Sequence, residues 1–312
     1  MNRILFSFLL GGLALTATAQ SGGISSEMLN RIRQAHPANV ALTNALAGTA
    51  INQLALNPRN AEANDTYFSH KVPSKGITDQ QSSGRCWLFT GLNVMRAAMI
   101  EKYELGKFEF SQSYCFFYDQ LEKANLFLQS TIDNAKKPMD DKTVEWLFKN
   151  PLSDGGTFCG VIDVVGKYGL VPDEIMPESY NANNTSRMAS ILSLKLREYG
   201  LTLREAAAKG EKNAALQKRK EEMLGTIYHI LEICLGCPPQ EFDYTLKDAA
   251  GKPISTKKYT PKSFYEEYVG KDLKNSYVML MNDPTRPYHK TYTIDLDRHS
   301  YDGVQWTYLN LP

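Results

Sequence analysis

The order of hydrophobic periods along the chain predicts an α+β fold. Apolar residues recur at helical spacing from Cys86 to Leu235, and the period-two alternation of strands begins only near residue 240. Ahead of the first strong helix, Ser26 to about Asn60 is helix-prone and polar, broken by Pro37 and Gly48 and closed by Pro58, and reads as an arm. The stretch "FSHKVPSKGITDQQSSGR" carries Pro, Gly and Ser in loop proportions. A helix follows from Cys86, with Trp87, Phe89 or Thr90, Val94, Ala97, Ala98 and Tyr103 at helical spacing and Gly106 as its stop. "SQSYCFFYDQLEKANLFLQ" is a second helix with Ser111 as N-cap, and "KTVEWLFKN" is a shorter third before Pro151. After the turn "SDGG", Val161, Val164 and Val165 mark another helix, ended by Gly169. Thr185 to Leu235 is a charged appendage of two or three helices whose apolar face should pack on the core. Strands come last: "FDYTL", a turn at "DAAGKP", then "YVMLMNDP" and "TYTIDLD".

Composition narrows the function. With 312 residues, 43% of them hydrophobic and 22% charged, the chain has material for a sizeable core and is neither disordered nor an integral membrane protein. A net charge of +1 with no Lys/Arg block argues against nucleic acid as a partner. Asn2 and Arg3 lead into "ILFSFLLGGLAL", and Ala17 and Ala19 stand in an A-x-A arrangement, the pattern of a secretory leader cleaved after Ala19. The apolar run is short for a membrane span, so an exported chain without stable membrane insertion is expected. Five cysteines are an odd number for such a chain, which leaves at least one thiol unpaired.

Cys86 is the thiol with chemistry around it. It opens a helix, where aligned peptide dipoles and free amides favour a thiolate, and Gly84 permits a tight turn just before it. The side-chain amide of Gln80, six residues upstream, could join the Cys86 backbone N–H as an oxyanion hole. The plainer alternative is a cysteine that fills space at the start of a core helix. "CLGC", Cys234 to Cys237, has disulfide or half-zinc-site spacing, but it lacks a second ligand pair and follows a long helix, so no metal site is assigned.

The segment "QSSGRCWLFTGLN" resembles the nucleophile region of papain-like cysteine peptidases, and more specifically their bleomycin hydrolase/aminopeptidase C branch. "DGGTFCGVIDVVGKYGLVP", "PESYNANNTSRM", "LGCPPQEFDYTLKD", "TPKSFYEEYVG" and "NDPTRPYHKTYTID" are similar to further parts of that branch, so the resemblance runs from about Ala61 to Pro312. It implies a papain-like fold with a helical insertion, aminopeptidase or short-peptide hydrolase activity, no cofactor, and a homo-hexameric ring. It also implies that Cys86 is the nucleophile, that Gln80 lines the oxyanion hole, that Trp87 packs beside the cysteine next to bound substrate, and that Gly155 and Gly156 border the substrate cleft. The chain then divides into a leader over 1–19, an arm over 20–60, a helical lobe with the nucleophile over 61–184, a helical insertion over 185–239 and the start of a β lobe over 240–312.

Such an enzyme needs a histidine base and an orienting amide, commonly Asn. The branch carries these in "HAM"-like and "NSWG"-like stretches, and neither string occurs here. Register with the family places the end of this chain before both, leaving the sheet domain incomplete and the activity of the chain alone in question. His36, His70, His229 and His299 read as surface or structural histidines, while His289, opening an alternating strand with Asn310 downstream, is the more tempting base. The competing function is a non-catalytic peptide-binding or assembly protein that keeps the cleft without the base.

Overall fold

A computed structural model describes residues 22–62, 65–270, 272–294, 298–304 and 306–312; the leader over 1–19 lies outside them. Contacts divide the chain into two compact units, Met1–Ser69 and His70–Pro312. Among the described residues the first holds four short helices, α1 (Ser26–Ala35), α2 (Val40–Gly48), α3 (Ile51–Leu54) and α4 (Pro58–Glu62). Ser25 and Asn39 cap α1 and α2 by accepting from Met28 N and Leu42 N.

In the second unit α5 (Cys86–Lys102) begins at the cysteine and ends at Tyr103, short of the expected stop at Gly106. The next helix, α6 (Gln112–Asp133), is capped by Ser111 Oγ, which accepts from Tyr114 N at 3.0 Å. Phe116, Phe117, Ala124, Leu128 and the polar pair Asp119 and Gln120 are all buried, so α6 is enclosed on every side and forms the axis of the unit. Around it stand α7 (Lys142–Lys149), α8 (Phe158–Tyr168), α9 (Tyr180–Asn183), α10 (Thr185–Ala208) and α11 (Asn213–Leu235). The expected appendage is α10 and α11, and its apolar stripes, Met188, Leu192, Leu196 and Leu203 on one and Met223, Ile227, Leu231 and Leu235 on the other, pack against α6. Gly169 ends α8 at φ +81°, where a Cβ would lie 2.3 Å from the Pro261 backbone, so both conformation and space require glycine.

Among the described residues the strands form two sheets rather than one. β1 (Phe242–Lys247) and β2 (Pro253–Tyr259) make an antiparallel hairpin. Two helices then intervene, α12 (Pro261–Tyr268), opened by a Thr260/Ser263 capping box, and α13 (Leu273–Ser276). The second sheet has the order β3-β5-β4, with β3 (Met279–Met281) parallel and β4 (Thr291–Ile294) antiparallel to β5 (Trp306–Asn310). The expected helices-then-strands order is therefore interrupted by α12 and α13, whose segment the period-two reading passed over.

Candidate active site

The loop before Cys86 is tied down by its own short polar side chains and by two distant segments. Asp79 Oδ1 accepts from Gln81 N at 2.8 Å, Ser83 Oγ donates to Gln80 O at 2.6 Å, and Ser82 N donates to Asn183 O at 3.0 Å. Gly84 N–H donates to Asp154 Oδ2 at 2.7 Å, and the same oxygen accepts from Thr185 Oγ1 at 2.6 Å. A Cβ on Gly84 would lie 2.4 Å from Asp154 Oδ1, so glycine is needed for this close approach. Arg85 is wholly buried, pairing with both oxygens of Glu178 and lying between the Phe89 and Phe116 rings. Cys86 follows as the first residue of α5, exposed, and no side chain caps the amides of this helix start.

A buried polar cluster holds the opposite edge. Trp87 donates from Nε1 to Asp154 O at 2.9 Å, and Lys123 Nζ donates to Ser153 O at 2.9 Å and Gly155 O at 2.8 Å while pairing with Asp119 Oδ2 at 2.8 Å. Burial alone would push the Asp119 carboxyl up, yet the Lys123 ammonium and the His299 ring beside it hold it below its ordinary value. His299 Nδ1 meets Asp119 Oδ1, and its ring stands edge-on to Trp87 at 4.6 Å between centroids. A Cβ on Gly156 or on Gly160 would fall within 2.3 Å of that ring. The arrangement thus joins an exposed thiol on an uncapped helix start to a loop, Ser153 to Gly156, fixed from behind.

The profile of the peptidase C1-like family matches residues 24–312. The chain belongs to that family. An aminopeptidase C of Lactobacillus delbrueckii subsp. lactis is 36% identical over 278 residues, covering 88% of this chain and 62% of its own length. Human bleomycin hydrolase is 36% identical over 304 residues, covering 94% of this chain and 66% of its own. The crystal structure of PepW from Lactobacillus rhamnosis superposes with a TM-score of 0.86 at 34% identity, covering 93% of this chain and 66% of that one. The fold is thus papain-like, and the chain spans about two thirds of the length of these relatives or slightly less.

Several residues take different parts from those expected. Gln80, expected to line an oxyanion hole, donates from its side-chain amide to the Ser83 carbonyl three residues on, which ties it into its own loop. Trp87 is buried at 7% exposure and supports Asp154 from beneath instead of presenting a surface to a ligand. Gly156 leaves room for the His299 ring and for Trp87, both of which a Cβ there would meet. His299, in the turn "RHSYDG", is deeply buried against Asp119, and this placement was missed because Asp119, 180 residues earlier, gives no local signal. His289 and Asn310 do not form a base and its orienting amide. The exposed His289 has φ +58° and donates its backbone N–H to Asn310 O, while Asn310 spends its amide on the carbonyls of Asp283, Arg286 and Pro287. Among the described residues no hydrogen bond or ion pair joins Cys86 to a histidine. Cys234 and Cys237 are both free thiols.

The turn that carries His299 docks on α8 through Asp163, which accepts from Val304 N at 2.8 Å and Ser300 Oγ at 3.3 Å. Burial raises the Asp163 carboxyl from its ordinary 3.8 to about 6, against the pull of those donors. The folded protein therefore binds this proton more tightly than the unfolded chain does, and the group's contribution to stability falls as pH rises from about 4 through about 6. Asp163→Asn keeps an acceptor for Val304 and is expected to flatten that part of the curve of thermal midpoint against pH. An unchanged curve would refute the assignment.

Proposed function

We propose that this chain carries the nucleophile and peptide-binding edge of a cysteine-type peptidase that acts on short peptides at their amino ends. The observation that supports it most is Cys86, exposed at an uncapped helix start directly after a glycine turn pinned by Asp154. In this reading the Cys86 thiolate bonds to the peptide carbonyl carbon while amides of the helix start stabilise the oxyanion. The C–N bond then breaks, the amine leaves with a proton, and water releases the acyl group from sulfur. Proton transfer in both steps needs an imidazole. The names of the relatives, aminopeptidase C and bleomycin hydrolase, favour this substrate class. Export after cleavage at Ala19 and assembly into a homo-hexamer are proposed with it, on the leader pattern and the family resemblance.

Cys237 supplies an internal standard for the test. It too is exposed, and its thiol is pushed up by the hydrogen bond and charge of Glu232. Iodoacetamide labelling followed by peptide mapping is expected to modify Cys86 about tenfold faster than Cys237 near neutral pH, since Glu232 holds the Cys237 thiol protonated. Equal rates at the two positions would remove the nucleophile and leave a peptide-binding protein without chemistry.

A further inference from the structure

We propose that Lys123, held by Asp119, is the positioning residue that presents the Gly155–Gly156 edge to a bound peptide. The inference rests on the peptidase reading above. An ammonium has three protons, and Lys123 has an acceptor for each: Asp119 Oδ2 at 2.8 Å, Ser153 O at 2.9 Å and Gly155 O at 2.8 Å. The side chain is buried, so its charge stays in place only because all three acceptors do. Gln120 Nε2 reinforces the arrangement, donating to Ser153 O and Asp119 Oδ2, both at 3.0 Å.

The consequence for the loop is directional. With the carbonyls of 153 and 155 drawn inward onto the ammonium, and that of 154 taken by Trp87, the inner side of the loop is fully engaged. Gly156 is different: among the described residues no hydrogen bond engages its N–H or C=O. It is a free backbone pair next to a fixed one, which is what an extended peptide needs in order to pair along an edge. Lys123 touches no reacting atom in this account and acts only through the glycine edge.

The experiment compares two reagents at Cys86, iodoacetamide, which needs no peptide edge, and a dipeptidyl chloromethyl ketone, which does. For the native protein the peptidyl reagent is expected to be the faster. Lys123→Met is expected to cut that preference about tenfold, through loss of the two charge-assisted contacts that order the edge, and to leave the iodoacetamide rate unchanged. Because Lys123→Met strands a buried carboxylate, Asp119→Asn/Lys123→Met carries the same test without an unpaired charge. Lys123→Arg, which keeps donors and charge, is expected to restore part of the preference. A folded variant that loses Lys123 and keeps the full preference overturns the proposal. A native protein whose peptidyl preference at Cys86 is no greater than at Cys237 overturns the peptidase reading itself, and this inference with it.

Discussion

Replacing Arg85 with methionine is expected to cost about 3–5 kcal/mol of stability, the usual result of breaking a buried ion pair from one side. Arg85 is 0% exposed and donates to Glu178 Oε1 at 3.0 Å, Glu178 Oε2 at 2.6 Å and Ser83 Oγ at 3.0 Å. Without it, the Glu178 carboxylate keeps one short contact, from Ser113 Oγ at 2.9 Å, in a setting only 21% exposed. Urea unfolding followed by tryptophan fluorescence measures the loss, and in thermal melts each 1 kcal/mol lowers the midpoint by about 2–4 °C for a unit of this size. Arg85→Met/Glu178→Met removes both charges and is expected to recover much of the deficit, since apolar replacements of a whole buried pair are often neutral. A double variant as unstable as the single one would show that the rings of Phe89 and Phe116, rather than the ion pair, need the guanidinium.

The second large effect is expected at Asp154. One carboxylate oxygen holds both Gly84 N–H and Thr185 Oγ1, so Asp154→Ala removes two hydrogen bonds to a charged group, worth about 1.5–3 kcal/mol each. The turn before Cys86 should loosen. Amide exchange at Gly84 is the specific readout: it should accelerate with Asp154→Ala and stay closer to native with Asp154→Asn, which keeps an acceptor oxygen. Native exchange at Gly84 in the alanine variant would place the constraint on the loop elsewhere, at Ser82 and Asn183.

How much of this could be read from the chain depends on distance along it. The helix at Cys86, the Ser111 cap and the paired helices after Thr185 were legible because each is signalled within a few residues by a cap, a glycine or an apolar spacing. β2 escaped because "PISTKKY" is mostly exposed and polar, and its pairing partner, not its own pattern, makes it a strand. The site divides in the same way. Cys86 and Gly84 were visible in one short segment, whereas Asp119 and Lys123 look from sequence like ordinary polar positions on a helix. Their partners lie at Ser153, Gly155 and His299, brought near only when α6 is enclosed by the rest of the unit. Gln80 shows the converse: its position stands out in the sequence, but its hydrogen bond to the Ser83 carbonyl appears only once the loop is folded.

The socket that receives the His299 ring binds three positions into one unit of inheritance. Gly156 and Gly160, one helical turn apart in sequence spacing, leave room for an imidazole because neither has a side chain. A relative that places a larger residue at 156 or 160 must shrink the residue at 299, and one that keeps both glycines is free to retain a ring. Across an alignment of the family, these positions should change together and seldom singly.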